Sequence, residues 1–262
     1  MTHEARLFFI ALQFLTRVPV PAWVGFRDDW LHDSARHFPG VGLLVGGFAA
    51  LVLWTAAHAM PAPVAVVLSM LATVWLTGAF HEDGLADTCD ALGGTVSRAR
   101  ALEIMKDSRI GTYGAVALLL ALALKGTAIH GLAVRDFGVA LAALPLVHAL
   151  SRLAPVLLLR ALSYAGDPAQ AKAKPMAQRV SAASLAVALA WAALALAAAA
   201  ALGIPPLALL AAVAGLGLTV LWMAGWLQRR LGGYTGDTLG ASQQIGEIVL
   251  YLALLGALGR GA

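Results

Sequence analysis

Long uninterrupted blocks of apolar residues run through this sequence, and they restrict the folds that the chain can adopt. The blocks are about 18 to 24 residues long, which is enough for an α-helix to cross a hydrocarbon core of about 30 Å. Of the 262 residues, 60% are hydrophobic and 12% are charged, whereas a soluble domain carries roughly 25% charged residues. This composition excludes an ordinary soluble enzyme and a disordered chain. We therefore predict an all-α fold, a polytopic bundle of transmembrane helices.

The apolar blocks give seven predicted spans within a single integral-membrane domain that covers residues 1–262. The N-terminal segment 1–37 contains a shorter apolar stretch at 7–18, which carries Arg17 and is followed by two prolines. Such a stretch is too short to span, and we expect it to form an interfacial or re-entrant helix. The spans are predicted at about 38–60, 62–80, 112–134, 137–159, 181–203, 206–227 and 245–259.

Basic residues are distributed unevenly over the connections between these spans. The long polar connections 81–111, 160–180 and 228–244 alternate with short ones, so they should lie on one side of the membrane together with the N-terminus. Fourteen lysines and arginines fall on that side, against two, Arg135 and Arg260, on the other. By the positive-inside rule the long connections are cytoplasmic. The formal net charge of +4 therefore reflects membrane topology, and we expect no nucleic-acid partner.

Acidic residues are concentrated in the first long connection, where six of the fourteen in the chain lie from Glu82 to Asp107. If the second span continues as a helix, Asp83, Asp87 and Asp90 are spaced i, i+4 and i+7 and share one face. Like charges on one face repel each other, and a hard divalent cation with oxygen ligands converts that repulsion into binding. We interpret this face as a metal site, the alternative being a solvated acidic helix end.

A second polar patch, residues 103–114, combines both signs of charge. Asp107 lies directly after Lys106 and two residues before Arg109. Carboxylates that hold a metal beside cations that hold phosphate suit diphosphate chemistry. Two glycines then open the third span, and the backbone amides of that helix N-terminus favour an anion. The alternative is a surface amphipathic helix with ordinary i,i+4 pairs.

A third patch, residues 231–241, places four glycines around Asp237. Backbone amides of glycine-rich loops can wrap a ligand, and Gly233 and Thr235 are candidates for such contacts. A flexible linker would contain similar glycines, but the tyrosine, threonine and aspartate between them are unusual for a spacer. We therefore interpret the patch as part of the site.

A few charged and polar residues fall inside predicted spans. Lys125 and Arg152 are costly at such depth and should face the bundle interior, with an Asp or Glu as the natural partner of Lys125. Histidines within the spans, including His130 and His148, are interpreted as satisfied bundle residues. His81, beside the acidic face, is left open between a general base and an interfacial polar residue.

Taken together and in this order, five motifs resemble the cobalamin synthase family, the adenosylcobinamide-GDP ribazoletransferases of the late vitamin B12 pathway. Any one motif is weak, but the ordered set is specific and extends from about residue 8 to residue 250. The motifs are Phe14–Pro19, Phe38–Gly42, His81–Asp90, Ile104–Gly111 and Gly233–Asp237.

The resemblance implies a multi-pass enzyme of the cell inner membrane, with a cytoplasmic active site that uses Mg²⁺. Such an enzyme joins adenosylcobinamide-GDP to α-ribazole or its 5′-phosphate, and GMP leaves. Expected partners are these two substrates and the lipid bilayer. Homo-oligomerisation and contacts with other enzymes of the late cobalamin pathway stay open.

With this chemistry each motif receives an expected role. In this scheme the 5′-hydroxyl of ribazole attacks the phosphorus attached to cobinamide, and an aspartate or His81 accepts its proton. The expected metal ligands are Asp83, Asp87, Asp90 and Asp107. The expected cofactor- and phosphate-binding residues are Lys106, Arg109, Gly233 and Thr235. The expected catalytic residues are His81, Asp83, Asp87 and Asp237.

Two other functions compete with this interpretation. A CDP-alcohol phosphotransferase also carries aspartates at the end of a membrane helix, but its pattern has an Ala-Arg pair where Ala86 is followed here by Asp87. A cation-coupled membrane transporter could use the acidic face with Lys125 and Arg152. Against it, the charges of the sequence are concentrated at one membrane face, whereas transporter sites lie near the midplane.

Overall fold

The computed structural model describes residues 3–25, 27–166 and 180–259. In these parts of the chain the regular structure is helical, apart from an isolated bridge between Tyr164 and Tyr234. The α-helices are α1 (His3–Leu15), α2 (Asp28–Ser34), α3 (Phe38–Ala57), α4 (Ala62–Thr77), α5 (Phe80–Leu92), α6 (Arg98–Ile104), α7 (Thr112–Arg135), α8 (Phe137–Ala161), α9 (Ala182–Ala201), α10 (Pro206–Leu231) and α11 (Gly236–Leu258).

The described helices confirm an all-α polytopic bundle. Six of them are long and apolar enough to cross a membrane: α3, which is counted from Trp30, and α7 to α11. A seventh crossing results if α4 is counted together with α5. With 16 residues, α4 alone is about 24 Å long, which is short for a hydrocarbon core of about 30 Å. Six of the seven predicted spans therefore correspond to single helices that are long enough to cross a membrane. The second corresponds to α4, which reaches that length only when it is counted together with α5.

The second span does not continue straight into the acidic segment, and in this respect the sequence-based prediction is wrong. Helix α4 ends at Thr77, and α5 begins at Phe80 after a bend of 88°. The two residues between them are left-handed, with φ of 70° at Gly78 and 58° at Ala79. Glycine is favoured at the first position because a residue without Cβ adopts the left-handed conformation without strain. The acidic segment is therefore a separate helix that crosses the end of the bundle.

The last span is longer than predicted, because α11 begins at Gly236 instead of near residue 245. Thr235 caps this helix: its hydroxyl accepts from the Thr238 amide at 3.3 Å, and its own amide donates to the Thr238 hydroxyl at 2.8 Å. Helix α10 extends to Leu231 and ends at Gly232, which has a φ of 71°. Most of the predicted glycine-rich loop is thus helical, and only a four-residue turn separates α10 from α11.

The stretch predicted as an interfacial helix forms α1, which begins earlier and ends earlier than 7–18. One of its faces is buried, including Leu7, Ile10 and Leu15, and Glu4 pairs with Arg36 and His37 at 2.9 and 3.0 Å. Arg17 follows the end of the helix, and its amide donates to the Leu76 carbonyl at 2.8 Å. The N-terminal segment is therefore packed against the bundle. Its depth in the membrane stays a prediction.

Helix α8 lies at the centre of the described bundle. In its most apolar window 83% of the residues are buried, compared with 28% in α7, α9 and α10. Helix α3 approaches it through glycines: a Cβ on Gly46 would lie 2.5 Å from the Leu144 carbonyl oxygen, and a Cβ on Gly42 would overlap the His148 carbonyl. Small residues allow such close backbone approach in membranes, where packing replaces the hydrophobic effect between helices.

We predict that Gly46→Val destabilises the protein by about 1–3 kcal/mol, because the added methyl groups force α3 away from α8. The measurement is the thermal unfolding temperature of the purified protein in detergent. Gly47→Val is the matched control, since a Cβ on Gly47 meets nothing within 4 Å. Equal unfolding temperatures for the two variants would contradict the close contact between α3 and α8.

Candidate active site

The three long polar connections meet at one end of the bundle. Ser163 and Ala165 exchange backbone hydrogen bonds with Tyr234 at 2.9 and 2.8 Å. The Arg98 side chain donates to the Ala165 carbonyl at 3.1 Å. Arg230 caps the end of α5 by donating to the carbonyls of Leu92 and Gly94 at 3.1 and 2.8 Å. The described parts of the three connections therefore contact one another and form one surface. Four of the basic residues on which the predicted membrane orientation was based lie outside the described residues: Lys172, Lys174, Arg179 and Arg260.

Helix α5 has two chemically different faces at this end. Asp83 is exposed and Asp87 is half-buried, and the two are one helical turn apart. The opposite face is buried and includes His81 and Glu82, which are 4% and 6% exposed. The structure therefore places Asp83 and Asp87 on one accessible face, as predicted, and turns His81 away from it.

The beginning of α11 packs directly on the acidic helix. A Cβ on Gly84 would lie 2.7 Å from the Asp237 carbonyl oxygen and 3.2 Å from Gly240 Cα. The approach depends on glycine at position 84, and Gly240 opposite it leaves further room, since a Cβ there would lie 3.3 Å from Gly84 Cα. The half-buried Asp237, in the first turn of α11, is thereby brought next to the helix that carries Asp83 and Asp87. Three predicted site residues from distant parts of the sequence thus share one region.

Asp90 makes a different set of contacts. Its two carboxylate oxygens accept hydrogen bonds from the backbone amides of Gly111 at 2.7 Å and Gly114 at 2.8 Å, at the beginning of α7. The anion that we expected at this helix N-terminus is therefore supplied by the protein itself. Metal binding by Asp90 stays a prediction, with both of its oxygens already engaged.

Asp107 and Arg109 form an ion pair with each other. Arg109 Nη2 lies 2.6 Å from Asp107 Oδ2, and Arg109 Nε lies 3.0 Å from Asp107 Oδ1. These hydrogen bonds from the guanidinium lower the pKa of the Asp107 carboxyl to about 2, so the carboxylate is ionised at neutral pH. Lys106 is exposed beside the pair. The second patch thus has acidic and basic side chains at the surface, and the acidic side chain Asp107 is paired with the basic side chain Arg109.

The two backbone positions expected to contact a ligand contribute to the structure of the α10–α11 turn. Gly233 is required because a Cβ there would overlap the Ser163 carbonyl. Thr235 is buried, and its amide and hydroxyl are used in the cap of α11. Ligand contacts by these two residues stay predictions.

A buried polar network lies next to the buried face of α5, and only some of its members were predicted from the sequence to face the interior. Glu247 is the central residue: Lys125 Nζ lies 3.3 Å from its Oε1, His148 Nε2 lies 3.6 Å from the same oxygen, and Gln243 donates to its Oε2 at 2.7 Å. Arg152 Nη1 lies 3.1 Å from His148 Nδ1. We call this set the interior network; its members are Glu82, Lys125, His148, Ser151, Arg152, Gln243, Gln244 and Glu247.

The charges in the interior network balance. Two carboxylates, Glu82 and Glu247, face two cations, Lys125 and Arg152, and all four side chains are buried. At a rise of about 1.5 Å per residue, Lys125 lies about 20 Å from the beginning of α7, and Arg152 lies about 14 Å from the end of α8. The prediction that Lys125 faces the interior with an acidic partner is confirmed, as is the assignment of His148 as a bundle histidine. His130 is different, because its buried Nδ1 has no hydrogen-bond partner among the described residues.

The sequence contains a signal for the remaining members of the network. Gln243, Gln244 and Glu247 lie on one stretch of an otherwise apolar segment, and polar residues inside a span face the bundle interior or a polar cavity. Because the last span was predicted to begin near residue 245, the two glutamines were assigned to a loop. A correct helix start would have exposed the pattern.

The donor chemistry of the accessible face fits magnesium. Mg²⁺ prefers oxygen ligands and is usually held by one or two carboxylates, with waters and substrate phosphates completing its octahedron. Asp83 and Asp87 offer two such carboxylates one turn apart. In the described parts of the chain, no group of three or more His, Cys, Asp or Glu side chains converges as a complete metal site. The four expected metal ligands are therefore not gathered into one cluster, and magnesium binding by Asp83 and Asp87 stays a prediction.

Comparison with known proteins identifies relatives over nearly the whole chain. The family model described as cobalamin-5-phosphate synthase matches residues 7–255. The adenosylcobinamide-GDP ribazoletransferase of Leptothrix cholodnii is 61% identical over 255 residues, which is 97% of each chain. The enzyme of the same name from Shewanella amazonensis is 44% identical over 253 residues, covering 97% of this chain and 96% of the relative. No solved structure shows significant similarity to the chain.

We predict that Asp90→Ala lowers the free energy of unfolding by about 1–2 kcal/mol, because two backbone amides at the beginning of α7 lose their acceptor. The unfolding temperature in detergent is the measurement. Glu103→Ala is the control, because the Glu103 side chain is 69% exposed and pairs with Arg100 at the surface. Equal effects of the two substitutions would show that the Asp90 cap contributes no more than an exposed ion pair.

Proposed function

Because the chain belongs to the cobalamin-5-phosphate synthase family, we propose that it is an adenosylcobinamide-GDP ribazoletransferase. In the proposed reaction, adenosylcobinamide-GDP is joined to α-ribazole or its 5′-phosphate, and GMP leaves. The product is adenosylcobalamin or its phosphate, and the reaction is magnesium-dependent.

The observation that carries the proposal is the contact between α5 and the beginning of α11. It puts the accessible carboxylates Asp83 and Asp87 beside Asp237, at the end of the bundle where the polar connections meet. Carboxylates exposed at one end of a membrane bundle are suited to a polar, diphosphate-containing substrate that arrives from water.

We assign the roles by accessibility. Asp83 and Asp87 would hold Mg²⁺ against the diphosphate; when bound, the ion neutralises the charge that develops on the departing GMP. Lys106 and Arg109, both exposed on the neighbouring connection, would bind phosphate oxygens. Arg109 can do so while retaining Asp107, because a guanidinium has five N–H donors.

The nucleophile is a hydroxyl of the ribazole ribose. The sequence-based scheme used the 5′-hydroxyl, but in the 5′-phosphate acceptor that oxygen is blocked. A ring hydroxyl of the ribose is therefore the nucleophile available in both acceptors. Its oxygen forms a bond to the phosphorus attached to cobinamide, the bond from that phosphorus to GMP breaks, and the hydroxyl proton passes to a base.

Asp237 is the better placed base. It is half-buried in the first turn of α11, whose backbone contacts α5 at Gly84, the residue that follows Asp83. His81 is 4% exposed on the opposite face of α5, and a base must come within hydrogen-bond reach of the proton that it removes. We therefore give proton transfer to Asp237 and no direct substrate contact to His81.

The decisive measurement is GMP release from adenosylcobinamide-GDP and α-ribazole by purified protein, with Mg²⁺ and with excess EDTA. Wild type should release GMP and form cobalamin only with metal. Asp83→Asn should reduce kcat by about 10³-fold, as expected when several kcal/mol of charge stabilisation is lost. Glu103→Gln, an exposed carboxylate outside the proposed site, should retain wild-type kcat. Metal-independent turnover, or full activity of Asp83→Asn, would contradict the assigned metal ligands.

We further propose that the protein resides in the cell inner membrane with this end facing the cytoplasm, in accordance with the positive-inside distribution. The test uses single cysteines in a Cys89→Ser background, labelled in spheroplasts with a membrane-impermeant maleimide. Ser108→Cys, in the α6–α7 connection, should label only after the membrane is opened. Ala59→Cys, in the short α3–α4 connection, should label from outside. The reverse labelling pattern would contradict the orientation.

A further inference from the structure

Gln244 links the interior network to the acidic helix. Its side chain is 3% exposed. Its amide oxygen accepts from Lys125 Nζ at 3.0 Å, and its amide nitrogen donates to Glu82 Oε1 at 3.1 Å. An ammonium can only donate and a carboxylate can only accept, so the chemistry of the two partners determines how the amide is oriented. One side chain of α11 thereby connects α7 with α5.

The connection acts on the residue that directly precedes Asp83. Glu82 is buried at 6% exposure, whereas Asp83 is exposed. Because consecutive residues of a helix are separated by a fixed rotation, a fixed direction for Glu82 determines the direction of Asp83 and, one turn later, of Asp87. The connection to α4 gives little such control, since two left-handed residues and a bend of 88° separate α4 from α5.

We propose that Gln244 is a positioning residue, which holds α5 through Glu82 so that Asp83 and Asp87 face the substrate. Its effect on turnover rests on the proposed function, whereas its effect on the placement of α5 does not. The Gln244 amide oxygen accepts from Lys125, and one of its amide hydrogens is donated to Glu82. The second amide hydrogen is donated to Gln243 Oε1 at 2.9 Å. The side chain is therefore fully used in fixing its neighbours.

The adjacent glutamine provides a matched control. Gln243 is 0% exposed and donates to Ser151 Oγ at 3.0 Å and to Glu247 Oε2 at 2.7 Å. Its amide oxygen accepts from Gln244 Nε2 at 2.9 Å. These partners lie on α8 and α11, and among the described residues none lies on α5. Methionine at either position removes a buried amide of similar size without a change in charge. The two substitutions differ in whether the link to α5 is broken.

Cys89 allows the placement of α5 to be measured without activity. It is the one cysteine of the sequence, it lies on α5, and it is partly buried. We would compare its alkylation rate by N-ethylmaleimide in the purified full chain, together with kcat, KM and the Mg²⁺ dependence of GMP release. For Gln244→Met we expect alkylation to rise at least about threefold through local opening of α5. We expect kcat to fall about 10- to 100-fold from misplacement of the carboxylates. Gln243→Met removes the acceptor of the second Gln244 amide hydrogen but leaves the bonds of Gln244 to Lys125 and Glu82 in place, so we expect it to change both measurements clearly less than Gln244→Met does.

Equal effects of Gln244→Met and Gln243→Met would overturn the proposal, because a general loss of interior polarity would then explain both. Unchanged Cys89 alkylation in Gln244→Met would overturn it as well. If no protein releases GMP, the proposed function fails, and the alkylation comparison still tests the positioning role. Should Gln244→Met not fold, Gln244→Glu retains the contact with Lys125 but places a carboxylate against Glu82, and the same rise in alkylation is expected.

Discussion

Neutralisation of charge inside the bundle is the constraint on which the arrangement of the central helices depends. An unpaired ion in a low-dielectric interior costs several kcal/mol, so Glu82, Glu247, Lys125 and Arg152 have to be brought together. They are supplied by α5, α11, α7 and α8, respectively. These four helices can satisfy their charges only in a narrow range of relative positions. The interior network therefore favours one packing of otherwise interchangeable apolar helices.

Close backbone contacts then complete the geometry. Gly46 brings α3 against α8, and the pair Gly84 and Gly240 brings α5 against the beginning of α11. Both kinds of contact follow from the same physics, because helices in lipid gain stability from packing and not from the removal of water. The second contact also brings the backbone of Asp237 to the helix that carries the accessible acidic face. The polar residues at this end of the bundle are thus positioned by close contacts between helix backbones.

Most of the architecture follows from local sequence properties, and the exceptions have identifiable causes. The lengths of the apolar blocks predicted the spans. The acidic partner of Lys125 was predicted because an unpaired ammonium inside a membrane span costs free energy. The bend after Thr77 was missed because Gly78 is a single glycine within a continuous apolar run, and the left-handed residue after it is an alanine, Ala79, which gives no sequence signal. The start of α11 was missed because Thr235 caps the helix in the middle of glycines that resemble a loop. Asp90 was grouped with Asp83 by spacing alone, although its carboxylate is bound by amides of α7.

The sequence by itself determined that the chain crosses a membrane repeatedly, and which residues carry charge, because hydropathy and residue type are properties of single positions and short segments. It also determined the family, through motifs that keep their order. Only the tertiary structure decided which polar residues from distant segments lie close together. The beginning of α11, with Asp237, packs against α5 at Gly84, and His81 and Glu82 are buried while Asp83 is exposed. Such contacts depend on packing between distant segments, which no local pattern specifies.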